Sequence, residues 1–218
     1  MSTEPTTPRA PRRRRLTADE RRELIERAAT ELFAERGYQG AGMSEIARRA
    51  GVSVPVVYDH FASKEDLYRR LLERHYADLR AVWGRHLAAD ESTEARMAHA
   101  IDAWFAYVQS HPFAWRMLFR DTTGDPKVEA IRREVADASR AQLLPLMDAE
   151  PAVTAADGSA AGVEMVWEVF RGSIQALALW WYEHQEVPRE QVVATAMNAL
   201  WVGYERVARG ETWSPREA

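Results

Sequence analysis

The sequence predicts an all-α protein, and three observations support that prediction. Apolar residues recur at intervals of three and four along most of the 218-residue chain, which places them on one face of a helix. Capping residues and glycines divide the chain into separate helical segments. No segment alternates apolar and polar residues as a half-buried strand would, and no repeat of solenoid length is present.

The first predicted helix begins at Thr17, because Thr17 and Glu20 have the spacing of a capping box. Gly37 is expected to end it, since glycine leaves the helical conformation readily. Residues 1–16 contain three prolines and no periodic apolar residues, so we expect a disordered arm there. The apolar stripe of this helix consists of Leu24, Ile25, Ala28, Leu32 and Phe33.

Two short helices are predicted next, over residues 43–50 and 54–61. Only three residues separate them, so the chain must turn sharply, and this is the geometry of a helix-turn-helix unit. Gly51 supplies the positive φ after the first helix, and Ser53 is expected to cap the second. We therefore expect this part of the chain to bind DNA.

The second short helix of such a unit lies in the major groove with its first residues toward the base edges. Here those residues are Val54, Pro55 and Val56, which we expect to be exposed and to contact thymine methyl groups. Tyr58 and Lys64 offer a phenol and an ammonium to phosphate oxygens, contacts that orient the protein without reading sequence. The alternative is that the polar side chains of this helix only cover a small domain.

The remaining helices are predicted from their start signals. Ser63, followed by acidic residues, starts a long helix that runs to about residue 88. Proline suits the first turn of a helix, and it marks several of the later starts. These are expected at Ser92 or Thr93, at Pro112, at Pro126, after Gly158-Ser159 and at Pro188.

Composition excludes several classes of protein. The chain has no cysteine, and its longest nearly apolar stretch, residues 173–182, is about half of a membrane span. No apolar segment follows the N-terminal arginines to form a signal peptide, so we expect a cytoplasmic protein with no membrane partner. The six histidines have no metal-ligand spacing, and no glycine-rich loop follows a strand. We therefore expect no metal, no cofactor and no enzymatic activity.

Charge is distributed unevenly along the chain. Residues 1–80 contain 16 Lys and Arg against 13 Asp and Glu, whereas residues 81–218 contain 13 against 20. A basic front on an acidic protein is expected when one end of the molecule meets a polyanion. The arginines at 12–15 are suited to an adjacent minor groove. A non-specific tether, or a solubilising tail with no partner, is the alternative.

Three strings in the first third of the chain closely resemble the DNA-binding domain of the TetR family of transcriptional regulators. They are IARRAGVS at 46–53, VYDHF at 57–61 and SKEDL at 63–67. The resemblance implies a three-helix DNA-binding domain, a larger helical domain for ligand binding and dimerisation, and usually repression that a small molecule relieves. It also implies that Tyr58, His60 and Lys64 contact phosphates.

The pattern and the resemblance together predict three parts: an arm (1–16), a DNA-binding domain (17–62), and a ligand-binding and dimerisation domain (63–218). Two positions depart from the common family pattern, because Gly42 stands where many members have Thr and Pro55-Val56 where many have Gly-Thr. The candidate DNA-contacting residues are Arg14, Arg15, Ser44, Ser53, Val54, Pro55, Val56, Tyr58, His60 and Lys64.

Aromatic residues concentrate in the second part of the chain, and all eight tryptophans lie after residue 80. Bulky aromatic side chains on facing helices can enclose a cavity for an apolar or aromatic effector. Ordinary core packing is the alternative, with a C-terminal domain that serves only assembly or a protein partner. The candidate ligand-binding residues are Trp83, Trp104, Tyr107, Phe113, Trp115, Trp167, Phe170 and Gln175. Arg116 and His111 are further candidates for orienting polar groups.

The last two long helices, predicted over 161–186 and 188–208, are joined by a short connection and should pack antiparallel. They carry more apolar residues than one buried face requires, so we expect a two-fold homodimer. A monomer that buries both stripes is the alternative. The candidate dimer residues are Trp180, Val193, Met197, Leu200, Trp201 and Tyr204. The sequence thus predicts a dimeric repressor of a palindromic operator, released by a small apolar or aromatic effector.

Overall fold

The computed structural model describes residues 16–87, 90–119, 124–148, 160–209 and 211. Every regular element within these residues is a helix, which confirms the predicted fold class. The helices are α1 (Ala18–Gly40), α2 (Met43–Ala50), α3 (Val54–His60), α4 (Lys64–Leu87), α5 (Thr93–Ser110), α6 (Pro112–Phe119), α7 (Pro126–Asp148), α8 (Ala160–Glu183) and α9 (Arg189–Ala208).

Helix α1 begins with the predicted capping box. The Glu20 backbone N–H donates to Thr17 Oγ1 at 3.2 Å, and the Thr17 N–H donates to Glu20 Oε2 at 2.7 Å. Gly37 has a left-handed φ of 70°, so the helical conformation breaks there as predicted, and a further turn continues to Gly40. The face of α1 that carries Phe33 is fully buried in the core.

Helices α2 and α3 form the predicted helix-turn-helix unit against α1. Gly51 supplies the turn with a left-handed φ of 69°. Ser53 occupies the N-cap position of α3, but its side chain makes no capping hydrogen bond, and that prediction is wrong. Pro55 lies in the first turn and has no N–H, so the Val56 N–H is the one donor that remains for a cap side chain there.

Helix α4 belongs to both parts of the molecule. Its predicted start is confirmed, because the Asp66 N–H donates to Ser63 Oγ and the Asp66 carboxylate accepts from the Ala62 N–H, both at 3.0 Å. Its first turns bury Leu67 and Tyr68, and its later turns pack against α5 and α7. Since α4 has 24 residues, it is about 36 Å long at 1.5 Å per residue. One continuous hydrophobic core follows it.

The second part of the molecule is a helical bundle around α4. Helix α7 packs along α4, and α9 packs on α5 and α8. Trp181 closes the connection between α8 and α9, where its Nε1 donates to the Val187 carbonyl at 2.8 Å. None of the helices in the described ranges is long and apolar enough to cross a membrane.

Candidate DNA-binding surface and ligand cavity

Fewer residues of helix α3 are exposed than the sequence predicts. Tyr58 is 51% exposed and Pro55 is exposed, whereas Val57 is fully buried. Val54 and Val56 are half-buried against the core, so the prediction that all three first residues are exposed is wrong for these two. Since α3 has only seven residues, the valines are needed to hold it on α1 and α2. Of these three side chains, that of Pro55 is the most exposed.

The other candidate DNA contacts lie around α3. Ser44 and Ser53 are exposed at the starts of α2 and α3, and His60 is half-buried at the end of α3. The two exposed hydroxyls are accessible to phosphate oxygens. Arg14 and Arg15 lie outside the residues that the structure describes.

Lys64 is held in place at the junction of α1 and α4. Its Nζ lies 4.3 Å from the centroid of the Tyr38 ring, a cation–π contact. Burial beside the aromatic core lowers the pKa of Lys64. A lysine that is already positioned loses less side-chain entropy when it meets a phosphate. The geometry is therefore compatible with the phosphate contact that we expect of this residue.

A cavity of about 290 Å³ lies between α4, α5, α6, α7 and α8. Its inner wall is apolar and largely aromatic, whereas exposed and half-exposed charged side chains from α7 and α8 border its opening. The aromatic members of the wall are Tyr76, Trp83, Trp104, Phe119, Trp167 and Phe170. The charged members are Arg133, Asp137, Arg140, Glu168 and Arg171.

The structure brings five of the predicted ligand-binding residues together. Trp83, Trp104, Trp167, Phe170 and Gln175 all line this cavity. They come from three different helices, so the sequence could mark each residue as apolar or polar but could not show that they meet.

The other three predicted residues lie away from this cavity. Trp115 is buried in ring contact with Tyr182, at a centroid distance of 5.6 Å. Tyr107 lies in a polar cluster with His75, and Phe113 borders a separate cavity beside α1 and α4. Phe113 and Trp115 are two apart in α6 and therefore face in different directions, so they do not line one surface.

Sequence reasoning missed other wall residues. Tyr76 and Leu79 line the cavity from α4 and precede Trp83 at helical spacing, a periodicity that could have identified them. The arginines of α7 and α8 gave no signal, because charged residues on an amphipathic helix normally indicate a solvated face.

Two of the arginines at the opening are paired with acids. Arg140 Nη1 lies 2.7 Å from Glu164 Oε1 and 3.8 Å from Glu168 Oε1. Arg171 donates to the Glu168 carboxylate and, at 3.0 Å, to Gln175 Oε1. The hydrogen bond from Arg171 lowers the pKa of Glu168, so this carboxylate stays ionised near neutral pH.

Arg133 is placed differently. Its Nε donates to the Glu129 backbone carbonyl at 3.4 Å, and no carboxylate within the described residues forms an ion pair with it. An exposed guanidinium without an acid partner can contact an anionic group at the opening.

A hydrogen-bond hub at Arg132 joins α7 to α6 and to Tyr68 in the first turns of α4. Arg132 Nη1 donates to the Tyr68 hydroxyl and to the Met117 carbonyl, each at 2.7 Å, and Nη2 donates to the Leu118 carbonyl at 2.6 Å. The Tyr68 ring is fully buried and lies 5.0 Å from the ring of Phe33 in α1. Arg132 thus connects α7 directly to the core beneath α1.

A second polar cluster lies between α1, α4 and α5. His75 Nε2 is 3.3 Å from Thr30 Oγ1, and His75 Nδ1 is 3.4 Å from the Tyr107 hydroxyl. Burial lowers the pKa of His75 to about 4 and raises the pKa of Tyr107. Both groups are therefore neutral near pH 7.

From the lowered pKa of His75 we predict that the free energy of unfolding of the protein depends on pH. The unfolded chain binds a proton on His75 at its ordinary pKa of 6.5, whereas the folded chain binds it only at about 4, so stability falls as pH decreases between these values. The loss from this group at about pH 5 is about 2 kcal/mol. His75→Gln keeps hydrogen-bonding groups for both partners and should remove this part of the loss. Urea unfolding at neutral pH and at about pH 5 measures it.

His99→Gln is the matched control, because His99 is exposed and lies outside the cluster. The same loss of stability in wild type and His75→Gln would contradict the assignment.

Comparison with known proteins agrees with this geometry. Residues 25–71 match bacterial regulatory proteins of the tetR family, and residues 93–203 match the tetracyclin repressor-like C-terminal domain. The chain is 30% identical over 194 residues to the HTH-type transcriptional activator FasR of Mycolicibacterium smegmatis, which covers 88% of this chain and 87% of FasR. These relatives are described as regulatory proteins, and FasR as a transcriptional activator.

Solved structures share the fold. A TetR-like regulator from Rhodococcus sp. RHA1 superposes with a TM-score of 0.71 at 21% identity, covering 88% of this chain and 99% of that one. FadR from Bacillus subtilis, in complex with stearoyl-CoA, superposes with a TM-score of 0.66 at 19% identity, covering 87% and 98%. With a helix-turn-helix unit at one end, a helical bundle behind it and both family domains matched, the chain belongs to the TetR family of transcriptional regulators.

Proposed function

We propose that this regulator is an operator-binding homodimer that a ligand with an apolar tail and an anionic head releases from DNA. The observation that carries the proposal is the cavity of about 290 Å³, aromatic inside and bordered by arginines. Acyl-CoA has this chemistry, and the related fold of Bacillus subtilis FadR is described with stearoyl-CoA bound. We therefore take acyl-CoA as the effector class to test.

The wall of the cavity supports an apolar tail. Leu79 and Ile174 complete the surface formed by its six aromatic side chains, so an alkyl chain would lose contact with water without facing an unpaired charge. The arginines support a charged head, because a guanidinium binds carboxylate and phosphate oxygens in a planar, two-pronged arrangement. An uncharged aromatic effector, by contrast, would leave Arg133 with no role.

The competing proposal is a C-terminal domain that serves only assembly or a protein partner. Such a domain gains stability by filling its interior, because empty volume costs packing contacts. The volume here lies instead at the lower limit of the range of about 300–1,000 Å³ that small-molecule sites occupy. The cavity thus favours the ligand-responsive proposal.

An exposed apolar surface on α8 and α9 supports dimerisation. Met165, Val169, Leu179 and Trp180 of α8 are 61%, 65%, 36% and 45% exposed, and Val202 of α9 is 52% exposed. On α8 these positions follow helical spacing and form one stripe. A contiguous apolar surface of this kind is characteristic of a protein–protein interface, and a second copy covers it with two-fold symmetry.

This surface differs in part from the predicted dimer residues. Trp180 lies on it, but Val193, Met197, Leu200 and Trp201 are half-buried and pack against the core of their own subunit. The side chain of Tyr204 lies outside the described residues. We therefore propose that α9 contributes its opposite face, which carries Val202.

In a dimer, ligand binding can change DNA affinity by changing the distance between the two copies of α3. Two copies of α3 must reach half-sites about 34–36 Å apart, or a multiple of that distance. A ligand that fits only one arrangement of α4 and α7 shifts the dimer toward it, and operator affinity falls if that arrangement has the wrong spacing. Ligand-induced release from DNA is compatible with a repressor or an activator, because the position of the operator relative to the promoter decides whether the bound protein represses or activates transcription. Repression therefore remains a prediction, and the FasR relative is named an activator.

A direct test first selects genomic fragments that bind the purified full chain, and then titrates one complex with palmitoyl-CoA. We expect two chains per operator by light scattering and release of DNA as ligand is added. Arg133→Gln should weaken palmitoyl-CoA binding about tenfold, because a hydrogen bond to a charged group is worth about 1.5–3 kcal/mol. Its binding of hexadecanol, which has no anionic head, should stay unchanged.

Arg209→Gln removes the same charge at the exposed end of α9 and serves as the matched control. Fragments that bind one chain, or an operator complex that palmitoyl-CoA leaves intact, would contradict the proposal.

A further inference from the structure

Trp167, a residue of the cavity wall, carries a buried donor with no partner among the described residues. Trp167 is 8% exposed, and its Nε1–H has no hydrogen-bond partner within the described part of the chain. The ring itself is well packed, with its centroid 6.4 Å from that of Phe170 in a tilted contact. Burying an N–H without an acceptor costs about 1–3 kcal/mol.

A phenylalanine at this position would keep an aromatic ring, although a smaller one, without that cost. A bound molecule that carries an acceptor would satisfy this N–H. Trp115 gives a useful contrast. Its Nε1–H also lacks a partner among the described residues, but Trp115 does not line the cavity.

The position of Trp167 indicates which part of a ligand it would meet. Arg171 lies one turn further along α8, and residues four apart share one face of a helix. Both residues border the cavity, so a donor for an uncharged acceptor lies next to a donor for an anion. In acyl-CoA the thioester carbonyl likewise lies between the apolar tail and the phosphates.

A second polar group in the wall, the hydroxyl of Ser139, fits the same chemistry. Ser139 is 4% exposed, lines the cavity and accepts a hydrogen bond from Arg80 Nη1 at 3.2 Å. A hydroxyl that accepts one hydrogen bond can donate another. Sites for small molecules commonly combine an apolar wall with a few such polar groups that set the orientation of the ligand.

We propose that Trp167 Nε1–H donates a hydrogen bond to the carbonyl oxygen of the bound acyl group, and that the cavity thereby selects acyl over alkyl ligands. This inference rests on the proposed function. The selection has a physical reason: a ligand without the carbonyl leaves the buried donor unpaired, and such mismatches discriminate more strongly than a missing methylene group.

Calorimetric titration of the full chain with two ligands tests the inference. Palmitoyl-CoA has the thioester carbonyl, and S-hexadecyl-CoA, a thioether, lacks it. We expect wild type to bind palmitoyl-CoA about tenfold more tightly than the thioether. Trp167→Phe should bind palmitoyl-CoA about tenfold more weakly than wild type does and should no longer distinguish the ligands. Trp115→Phe, the matched control, should keep the wild-type preference.

Each outcome has a separate meaning. If wild type binds both ligands equally, or if Trp167→Phe keeps the preference, the assignment of Trp167 is wrong while acyl-CoA remains the effector. If wild type binds neither ligand, the proposed effector is wrong and the assignment falls with it. The wild-type comparison needs no variant, so it remains decisive even if Trp167→Phe fails to fold.

Discussion

Tyr58→Glu should reduce operator affinity about 100-fold, because it replaces a phosphate donor with an anion and like charges brought together cost several kcal/mol. Tyr58 is 51% exposed on α3, so the change should leave folding intact. Affinity for unrelated duplexes should fall as well, since a phosphate contact carries no sequence information. Fluorescence anisotropy with operator and scrambled duplexes, at two salt concentrations, measures both effects.

Gln109→Glu makes the same charge change on an exposed residue of α5, away from the helix-turn-helix unit. It should bind the operator as wild type does. Operator binding by Tyr58→Glu at the level of this control would show that α3 does not face DNA in the way that we propose.

Tyr68→Phe should separate ligand binding from DNA release. The hydroxyl of Tyr68 accepts from Arg132 at 2.7 Å, whereas the ring packs 5.0 Å from Phe33 and from Tyr38. The substitution keeps the ring packing and removes the hydrogen bond between α7 and the core beneath α1. Coupling between two sites is typically about 1–3 kcal/mol, a factor of about 5–150 in affinity, and we expect most of it to be lost.

The measurement compares the operator affinity of Tyr68→Phe with and without saturating palmitoyl-CoA, beside calorimetric binding of the ligand alone. Ligand affinity should match wild type while the change in operator affinity disappears. Tyr182→Phe is the matched control, because the Tyr182 hydroxyl also accepts from an arginine, Arg116 at 3.5 Å, but lies on α8. If both variants keep the wild-type coupling, the Arg132 hub does not transmit the signal.

Local features of the helix-turn-helix unit could be predicted because neighbouring residues decide them. Gly51 adopts the left-handed conformation, and Thr17 with Glu20 forms the capping box, as their spacing indicated. The wrong prediction for the start of α3 also has a cause among neighbouring residues. Val54 and Val56 pack toward the core because α3 has only seven residues.

The ligand site could be predicted only in part. Trp83 and Phe170 are far apart in sequence, yet their rings lie 5.5 Å apart in a T-shaped contact in the cavity wall. Their aromatic character and helical periodicity were visible in the sequence, but Trp115 has the same character and lies elsewhere. The sequence shows which residues are aromatic, but the packing of the helices decides which of them line the cavity.

The sequence by itself determined the all-α class, most helix boundaries and the DNA-binding unit, because capping, glycine conformation and apolar periodicity act over a few residues. The tertiary structure alone decided which aromatic residues enclose the cavity, which arginines border it and which face of α8 and α9 stays exposed. These depend on how long helices pack across one another, and that packing brings together residues whose separation in the chain carries no signal.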